Sequence, residues 1–323
     1  MAGVASSTIS RVLNNNPGVS ENTRTRIKQL MEKTGFTPSA KARFFYQGHA
    51  GAIGLLIPRP NEYIFSNPFY LDAMHGAADA ADLAKMNLLL VTTDKDSYTY
   101  LYKEQRVDGL ILMSAREDDL GIIKLMSDGY PFILIGRYRH SVPLNSIEID
   151  NVTAAREATE YLISLGHRHI AHLGGATTFS SGRDRSEGYR QALSHQGIPY
   201  DDAAISMDDL PSPATGAARV REILSNRPET TAFFAFNDLV AIGAMDSLRE
   251  LGYQPGVNIS VLGFDDIFAA KFTNPPLTTV RQSGYEKGRL AVERLRQILA
   301  GDQEVRTVVV QTQLILRQSC HKP

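Results

Sequence analysis

The sequence predicts an α/β protein made of two doubly wound parallel-sheet subdomains, preceded by a small all-α head. From Ala52 onward, short apolar runs alternate with amphipathic stretches of helical length, as in parallel sheets with helices on both faces. These runs cover too great a length for one sheet, so we expect two similar subdomains. Residues 1–47 lack the alternation and have a net charge of +5, whereas the remainder has −6.

In the head, a segment of turn-forming residues separates two predicted helices. Residues 7–13 have a helical pattern, and the Asn-Asn-Asn-Pro-Gly segment at 14–18 forms a turn. Ser20 is placed to cap a second helix over 21–34. A basic head on an acidic body indicates that only the head meets a polyanion, although charge alone fits a solvated helix face equally well.

In the core, apolar runs of four or five residues predict the strands. They cover 53–57, 88–91, 109–113, 132–135, 170–173, 232–236 and 260–264. The predicted helices cover 153–165, 186–196, 217–224, 239–251 and 286–299. Ligands bind at the carboxyl ends of such strands, where the chain has Asp94, Arg137, Asp150, Asn237-Asp238 and Asp265-Asp266. Any one of these residues alone is more simply explained as the cap of a loop. Five converging strand ends, however, favour a binding site for a sugar, whose adjacent hydroxyls such planar polar groups can bond.

Composition limits the classes of protein that fit. No apolar run reaches the roughly 18 residues of a membrane span, and the N-terminus lacks the basic and apolar regions of a secretory signal. Cys320 is the single cysteine, which excludes an intramolecular disulfide framework. We therefore expect a cytoplasmic protein without membrane contact.

Sequence features typical of enzymes and metal sites are weak. On a strand, His167 and His169 share a face but His172 lies on the other, so a metal site is disfavoured. Neighbouring carboxylates on a strand point to opposite faces, so neither Asp208-Asp209 nor Asp265-Asp266 can flank one glycosidic bond by itself. No glycine-rich phosphate-binding motif follows a strand. We expect no enzyme activity, no metal and no cofactor.

An ordered set of motifs resembles the lactose/galactose-repressor family, most closely its maltose-type regulators. In the head these are TISRVLN at 8–14, VSENTR at 19–24 and GFTPSAKAR at 35–43. In the core they are DGLIL at 108–112, LGHRHIA at 165–171, RSEGY at 185–189, ND at 237–238, AIGA at 241–244, GFDD at 263–266 and PLTTV at 276–280. Each motif is weak alone, but the ordered set is specific and spans essentially the whole chain.

The resemblance implies three parts: a helix-turn-helix head over 1–38, a hinge helix and linker over 39–51, and a periplasmic-binding-protein-like effector core over 52–323. We place the three crossings between subdomains near Leu165, Val280 and Val310. Subdomain 1 then comprises 52–164 and 281–309, and subdomain 2 comprises 165–280 and 310–323. The implied partners are operator DNA, a sugar effector such as maltose or a related glucoside, and a second copy of the chain.

The resemblance also implies the DNA contacts. Ser6, Ser7 and Arg11 would face the major groove, and Asn14, Ser20 and Thr23 would bond phosphates. In the hinge, Ala42 and Phe45 would contact DNA, with Phe45 as the minor-groove wedge where leucine is usual. Family members usually begin earlier, with a first helix under the recognition helix. We therefore expect a truncated, weak head, and a sugar sensor or binding protein without competent DNA binding is the alternative function.

In the core, the resemblance assigns the effector contacts to Phe69, Tyr70, Arg137, Asp150, Arg185, Asn237 and Asp265. Arg185 is the strongest candidate among these contacts, since a guanidinium can donate hydrogen bonds to two sugar hydroxyls at once. An ion pair with Glu187 is the alternative role. The two aromatic residues would stack on the ligand or pack in the core. Arg137 would bind the ligand or pair with Asp150.

Overall fold

The computed structural model describes residues 3–13, 17–34, 49–92, 98–138 and 142–323. Several sequence predictions lie outside the described residues. They are the DNA contacts Asn14, Ala42 and Phe45, the hinge helix over 39–45, and the strand-end residue Asp94. Ser6 is described as a helical residue without its side chain.

Two helices form the described head, α1 (Ser6–Leu13) and α2 (Glu21–Thr34). Ser20 caps α2 as predicted, because its Oγ accepts a hydrogen bond from the Thr23 amide at 3.4 Å. Val12 and Ile27 are buried, so the two helices share a small apolar contact. Ser7 and Arg11 are exposed, as DNA contacts must be, and their binding to DNA stays a prediction.

The first sheet of the described core is parallel and has the strand order β11-β5-β4-β3-β1-β2. Its strands are β1 (Ala52–Leu56), β2 (Asn87–Val91), β3 (Gly109–Met113), β4 (Phe132–Ile135), β5 (Ser146–Glu148) and β11 (Thr307–Val309). Its helices are α3 (Asn61–Ser66), α4 (Pro68–Leu83), α5 (Tyr100–Lys103), α6 (Leu120–Ser127) and α11 (Gly284–Leu299). Apolar clusters lie on both faces of this sheet, which explains the nearly continuous apolar runs.

The second sheet of the described core has the order β12-β10-β9-β8-β6-β7, and only its edge strand β12 is antiparallel. Its strands are β6 (Ile170–Gly175), β7 (Ile205–Asp208), β8 (Ala232–Ala235), β9 (Ser260–Asp265), β10 (Thr278–Arg281) and β12 (Gln313–Ile315). Its helices are α7 (Asn151–Ser164), α8 (Ser180–His195), α9 (Pro213–Asn226) and α10 (Asp238–Glu250). The predicted class, two α/β subdomains after a helical head, is confirmed.

The first crossing between subdomains lies before α7, at Asp150, and not near Leu165 as predicted. Helix α7 packs against α8, and its alanines share an apolar cluster with Ile170 and Phe234 of the second sheet. Gly188 of α8 permits this close approach, because a Cβ there would lie 2.2 Å from the Val152 oxygen. The chain crosses again between β10 and α11, which packs on α4, and between β11 and β12.

Among the described residues, no helix combines the length and apolar character that a membrane crossing requires.

Candidate ligand-binding site

A cleft lies between the two sheets, at the carboxyl ends of their strands. It encloses about 930 Å³ of space including its open mouth. Side chains after β1, β3, β4 and β5 line it from the first subdomain, and side chains after β6, β8 and β9 line it from the second. The cleft is therefore a site between subdomains, where a bound ligand contacts both.

Arg185 is the most buried charged side chain of the cleft wall, with 4% exposure. Its Nε donates to Asn151 Oδ1 at 2.9 Å and its Nη1 to the Phe236 oxygen at 2.5 Å. The guanidinium lies 3.6 Å from the Phe264 ring centroid. Burial lowers the pKa of Arg185 to about 10, so the group stays charged at neutral pH. The alternative pairing with Glu187 is not formed, since Glu187 bonds Arg190 instead.

Asp265 ends β9 beside this guanidinium. Arg185 Nη2 lies 4.0 Å from Asp265 Oδ1, which also accepts a 2.6 Å hydrogen bond from Gln282 Nε2. Burial raises the pKa of Asp265 and the charge of Arg185 opposes the rise. Its φ of 115° is a strained conformation for a residue with a side chain, as is common at ligand sites.

Arg137 also lines the cleft, but its expected partner Asp150 does not. Arg137 Nε donates to Glu148 Oε2 at 2.8 Å, and Nη1 lies 3.8 Å from Asp184. Asp150 is exposed and caps α7, accepting from the Thr153 amide at 2.9 Å. The next residue, Asn151, faces the cleft in its place.

Asn237 was predicted as an effector contact, and the structure places it outside the cleft lining. Its Oδ1 accepts from the Val240 amide at 2.9 Å and caps α10. The preceding Phe236 lines the cleft instead. Asn237 and Asp150 are thus helix caps, which is the simpler interpretation of a polar residue at a strand end. A helix begins directly after each of them, and its first amides need hydrogen-bond acceptors.

The predicted aromatic residues both line the cleft. Tyr70 is buried, and its hydroxyl lies 2.9 Å from Ser114 Oγ. Burial raises the pKa of Tyr70, so the hydroxyl keeps its proton. Phe69 is half-buried and faces Lys287, whose Nζ lies 5.2 Å from the ring centroid. Both rings can wall a sugar.

A further group of lining residues was not predicted from the sequence. They are Arg59, Tyr63, Ser114, Glu148, Phe179, Gln282 and Lys287. Ser114 directly follows a predicted strand, and Arg59 follows one after a single residue, as Arg137 does. The rule that selected Arg137 could therefore have found both. Gln282 and Lys287 lie in the crossover after β10 and in α11, where no sequence signal marks a ligand contact.

The three histidines do not gather around a metal. Within the described ranges, no cluster of three metal-binding side chains occurs. His167 Nδ1 lies 2.9 Å from Thr231 Oγ1 and Nε2 lies 2.8 Å from Ser260 Oγ, so it ties neighbouring strands together. His172 is stacked between Tyr189 and Phe234.

Comparisons with known proteins agree over the whole chain. A family model described as "Bacterial regulatory proteins, lacI family" matches residues 1–39, and one described as "Periplasmic binding protein-like domain" matches residues 159–320. The HTH-type transcriptional regulator CelR of Thermobifida fusca is 32% identical, with 99% of this chain and 96% of CelR covered. The HTH-type transcriptional regulator MalR of Clostridium butyricum is 29% identical, with 99% and 97% covered.

Two solved structures are similar over nearly their full length. A complex of the transcriptional regulator CelR with cellobiose has a TM-score of 0.78 at 30% identity, covering 98% of this chain and 97% of that one. The lac repressor dimer bound to operator and the anti-inducer ONPF has a TM-score of 0.84 at 25% identity, covering 99% and 96%.

Proposed function

The chain belongs to the lacI family of bacterial regulatory proteins, so it is a DNA-binding transcriptional regulator and not an enzyme, and we propose that a sugar bound in its cleft controls its affinity for operator DNA. The resemblance drawn from the ordered motifs is thereby confirmed. The regulated genes under this proposal form a carbohydrate-utilisation operon that the protein represses in the cytoplasm.

The observation that carries the proposal is the position of Arg185. It extends from α8 of the second subdomain, bonds Asn151 at the first crossing and lies beside Asp265. A sugar that binds these two groups of the second subdomain and Arg137 of the first therefore contacts both sides of the cleft. Differential affinity for two arrangements of the subdomains is what a ligand needs to shift their populations.

The remaining cleft chemistry suits a hydroxyl-rich ring. Arg137 and Asp265 supply planar groups that pair with adjacent hydroxyls, and Phe69 and Tyr70 supply apolar walls. The relatives favour a glucoside, because one solved relative holds cellobiose and another is named MalR. We propose a malto-oligosaccharide or related glucoside as the effector.

For DNA, the proposal assigns base contacts to Ser6, Ser7 and Arg11 of α1, phosphate contacts to Asn14, Ser20 and Thr23, and minor-groove contacts to Ala42 and Phe45. Two heads read two half-sites, so the proposed unit is a homodimer, as in the similar lac repressor dimer on operator. A sensor that binds sugar without competent DNA binding is the second candidate, because Phe45 stands where leucine is usual in the hinge.

Calorimetric titration with maltose, maltotriose and cellobiose tests the effector site. We expect micromolar binding of one of them, lost in Arg185→Ala. Arg190→Ala is the matched control, since Arg190 lies on the same helix but is exposed and bonds Glu187.

A DNA fragment that the protein binds is first selected from a pool of random sequences. The affinity of the protein for this fragment is then measured with and without each of the same sugars. The sugar that binds should change DNA affinity at least tenfold in the wild type. Sugar binding without any DNA affinity would support the sensor alternative. If no sugar binds, neither these neutral sugars nor the acidic sugars tested below, the assignment of the cleft as a sugar site is refuted.

A further inference from the structure

Lys287 is a buried cation in the cleft wall that has no role among the proposed sugar contacts. It is 5% exposed and lies in the second turn of α11. Its Nζ donates to Gln282 Oε1, which is its hydrogen-bond partner among the described residues. Lysine is almost never fully buried unless it is paired, so a lysine lining a ligand cleft calls for an anionic partner.

The carboxylates around Lys287 are already engaged by other groups. Glu148 receives the hydrogen bond of Arg137. Asp265 accepts from Gln282 and lies 4.0 Å from Arg185, so Lys287 reaches it only through the Gln282 amide. Among the described residues, the direct hydrogen-bond partner of Lys287 is therefore an amide oxygen and not a carboxylate.

Two carboxylates farther back also have hydrogen-bond partners of their own. Asp184 bonds Arg183, and buried Asp238 accepts from the Thr279 hydroxyl and the Ile267 amide. At the cleft mouth, Arg59 adds a further positive charge, and its hydrogen bond goes to the main-chain oxygen of Asp209. An anion bound beside Lys287 would give this ammonium an ionic partner in direct contact, which its hydrogen bond to Gln282 does not supply.

We propose that the effector carries an anionic substituent, a carboxylate or a phosphate, and that Lys287 binds it. This inference rests on the proposed function, since it requires that the cleft binds a sugar. The ammonium has three N–H donors and donates one to Gln282, which leaves two for the oxygens of the anion. Phe69, packed against the lysine, excludes water from the contact and strengthens it.

Proton linkage follows from the same geometry. Burial lowers the pKa of Lys287 to about 7, and the charge of Arg185 lowers it as well, whereas Asp265 and Glu148 oppose the shift. A bound anion favours the ammonium and raises this pKa. Binding therefore takes up a proton near pH 7.5, and affinity for an anion that stays ionised falls as the pH rises above 7.

The test compares sugars that differ in charge. Calorimetry measures glucose against glucuronic acid and maltose against maltose 6′-phosphate, so that the carboxylate and phosphate forms are distinguished. We expect one acidic sugar to bind at least about tenfold more tightly than its neutral counterpart, the gain typical of one charge-assisted contact. For glucuronic acid at pH 7.5, heats measured in HEPES and in Tris, two buffers with different ionisation enthalpies, should reveal proton uptake.

Three variants assign the preference to the lysine. Lys287→Met should reduce the affinity for the acidic sugar about tenfold more than it changes the affinity for the neutral sugar. Lys287→Arg should retain the preference, because it keeps the charge. Lys271→Met, on the exposed surface, should behave as wild type.

The outcomes separate this inference from the proposed function. A neutral sugar that binds as tightly as its acidic counterpart and releases DNA overturns the inference while supporting the function. Retention of the acid preference in Lys287→Met also overturns it. If neither neutral nor acidic sugars bind, both fail. The wild-type comparison needs no substitution, so a variant that does not fold leaves the test intact.

Discussion

Arg59 crosses the mouth of the cleft and donates from Nη2 to the main-chain oxygen of Asp209 at 2.8 Å. Its guanidinium lies 4.0 Å from the ring centroid of Phe179. Arg59 follows β1 of the first subdomain, whereas both partners belong to the second. A further link lies nearby, where the Glu117 amide donates to the Thr178 oxygen at 3.0 Å. These contacts hold the two subdomains together on one side of the cleft.

The first prediction is that Arg59→Met opens the cleft in the absence of effector. The substitution removes a hydrogen bond from a charged donor and a cation–π contact, together worth about 2 kcal/mol. Small-angle scattering of the effector-free protein should show a larger radius of gyration. Arg106→Met, at an exposed arginine paired with Glu104, is the control. An unchanged radius in Arg59→Met would show that the bridge does not set the closure.

The strands were the most predictable part of this fold. The runs 109–113 and 132–135 match β3 and β4 residue for residue, because strands covered on both faces must be apolar throughout. The crossing near Leu165 was wrong for a physical reason. Amphipathic periodicity shows that α7 buries one face, but it does not reveal which of two similar sheets receives that face.

The candidate site was predictable only in part. Strand ends located Arg137 and Asp265 on the cleft, since parallel strands gather their carboxyl ends at one edge. The same rule selected Asp150 and Asn237, which cap helices instead, because sequence does not show whether a side chain turns to its own helix or to the cleft. Lys287 has no sequence signal, since the crossover after β10 brings its helix to the site.

The second prediction concerns acid stability. Burial lowers the pKa of His172 to about 4 from its ordinary 6.5, so the unfolded chain binds the proton more readily and stability falls as the pH falls through this window. The contribution is about 2 kcal/mol between pH 6.5 and pH 5. His172→Phe keeps the stack between Tyr189 and Phe234, and should flatten the pH dependence of the unfolding free energy by this amount.

Denaturant unfolding at several pH values measures this effect. Ser194→Ala is the control, because Ser194 is exposed and has no ionisable side chain, so its substitution should leave the pH dependence as in wild type. A wild-type slope in His172→Phe would mean that other groups cause the acid lability.

The third prediction is that Gly243→Ala destabilises the second subdomain. Helices α9 and α10 meet where a Cβ on Gly243 would lie 1.8 Å from the Pro213 oxygen. A Cβ on the opposing Gly216 would lie 2.2 Å from the Val240 oxygen, so neither helix can yield without moving backbone. Overpacking of this kind costs about 1–3 kcal/mol, measured as a lower thermal unfolding midpoint. Ser225→Ala, exposed on α9, should shift it little, and equal midpoints for the two variants would contradict the prediction.

The fourth prediction separates base contacts from phosphate contacts in the head. Arg11 is exposed on α1, and Arg11→Ala should cost about 1–3 kcal/mol on the selected DNA site and relax specificity at one G·C pair. Thr23 lies next to the cap, its Oγ1 2.9 Å from Ser20 Oγ. Thr23→Val should instead weaken binding to all sequences alike, because a phosphate contact carries no base information.

Binding to the selected site and to its single-base variants measures both effects, with Lys33→Ala at the exposed end of α2 as the control. The physical distinction lies in the pattern across sequences and not in the size of the loss. If Arg11→Ala lowered affinity equally for every variant site, Arg11 would be a phosphate contact. The recognition surface would then have to lie elsewhere on α1, and Ser7 would be the next residue to substitute.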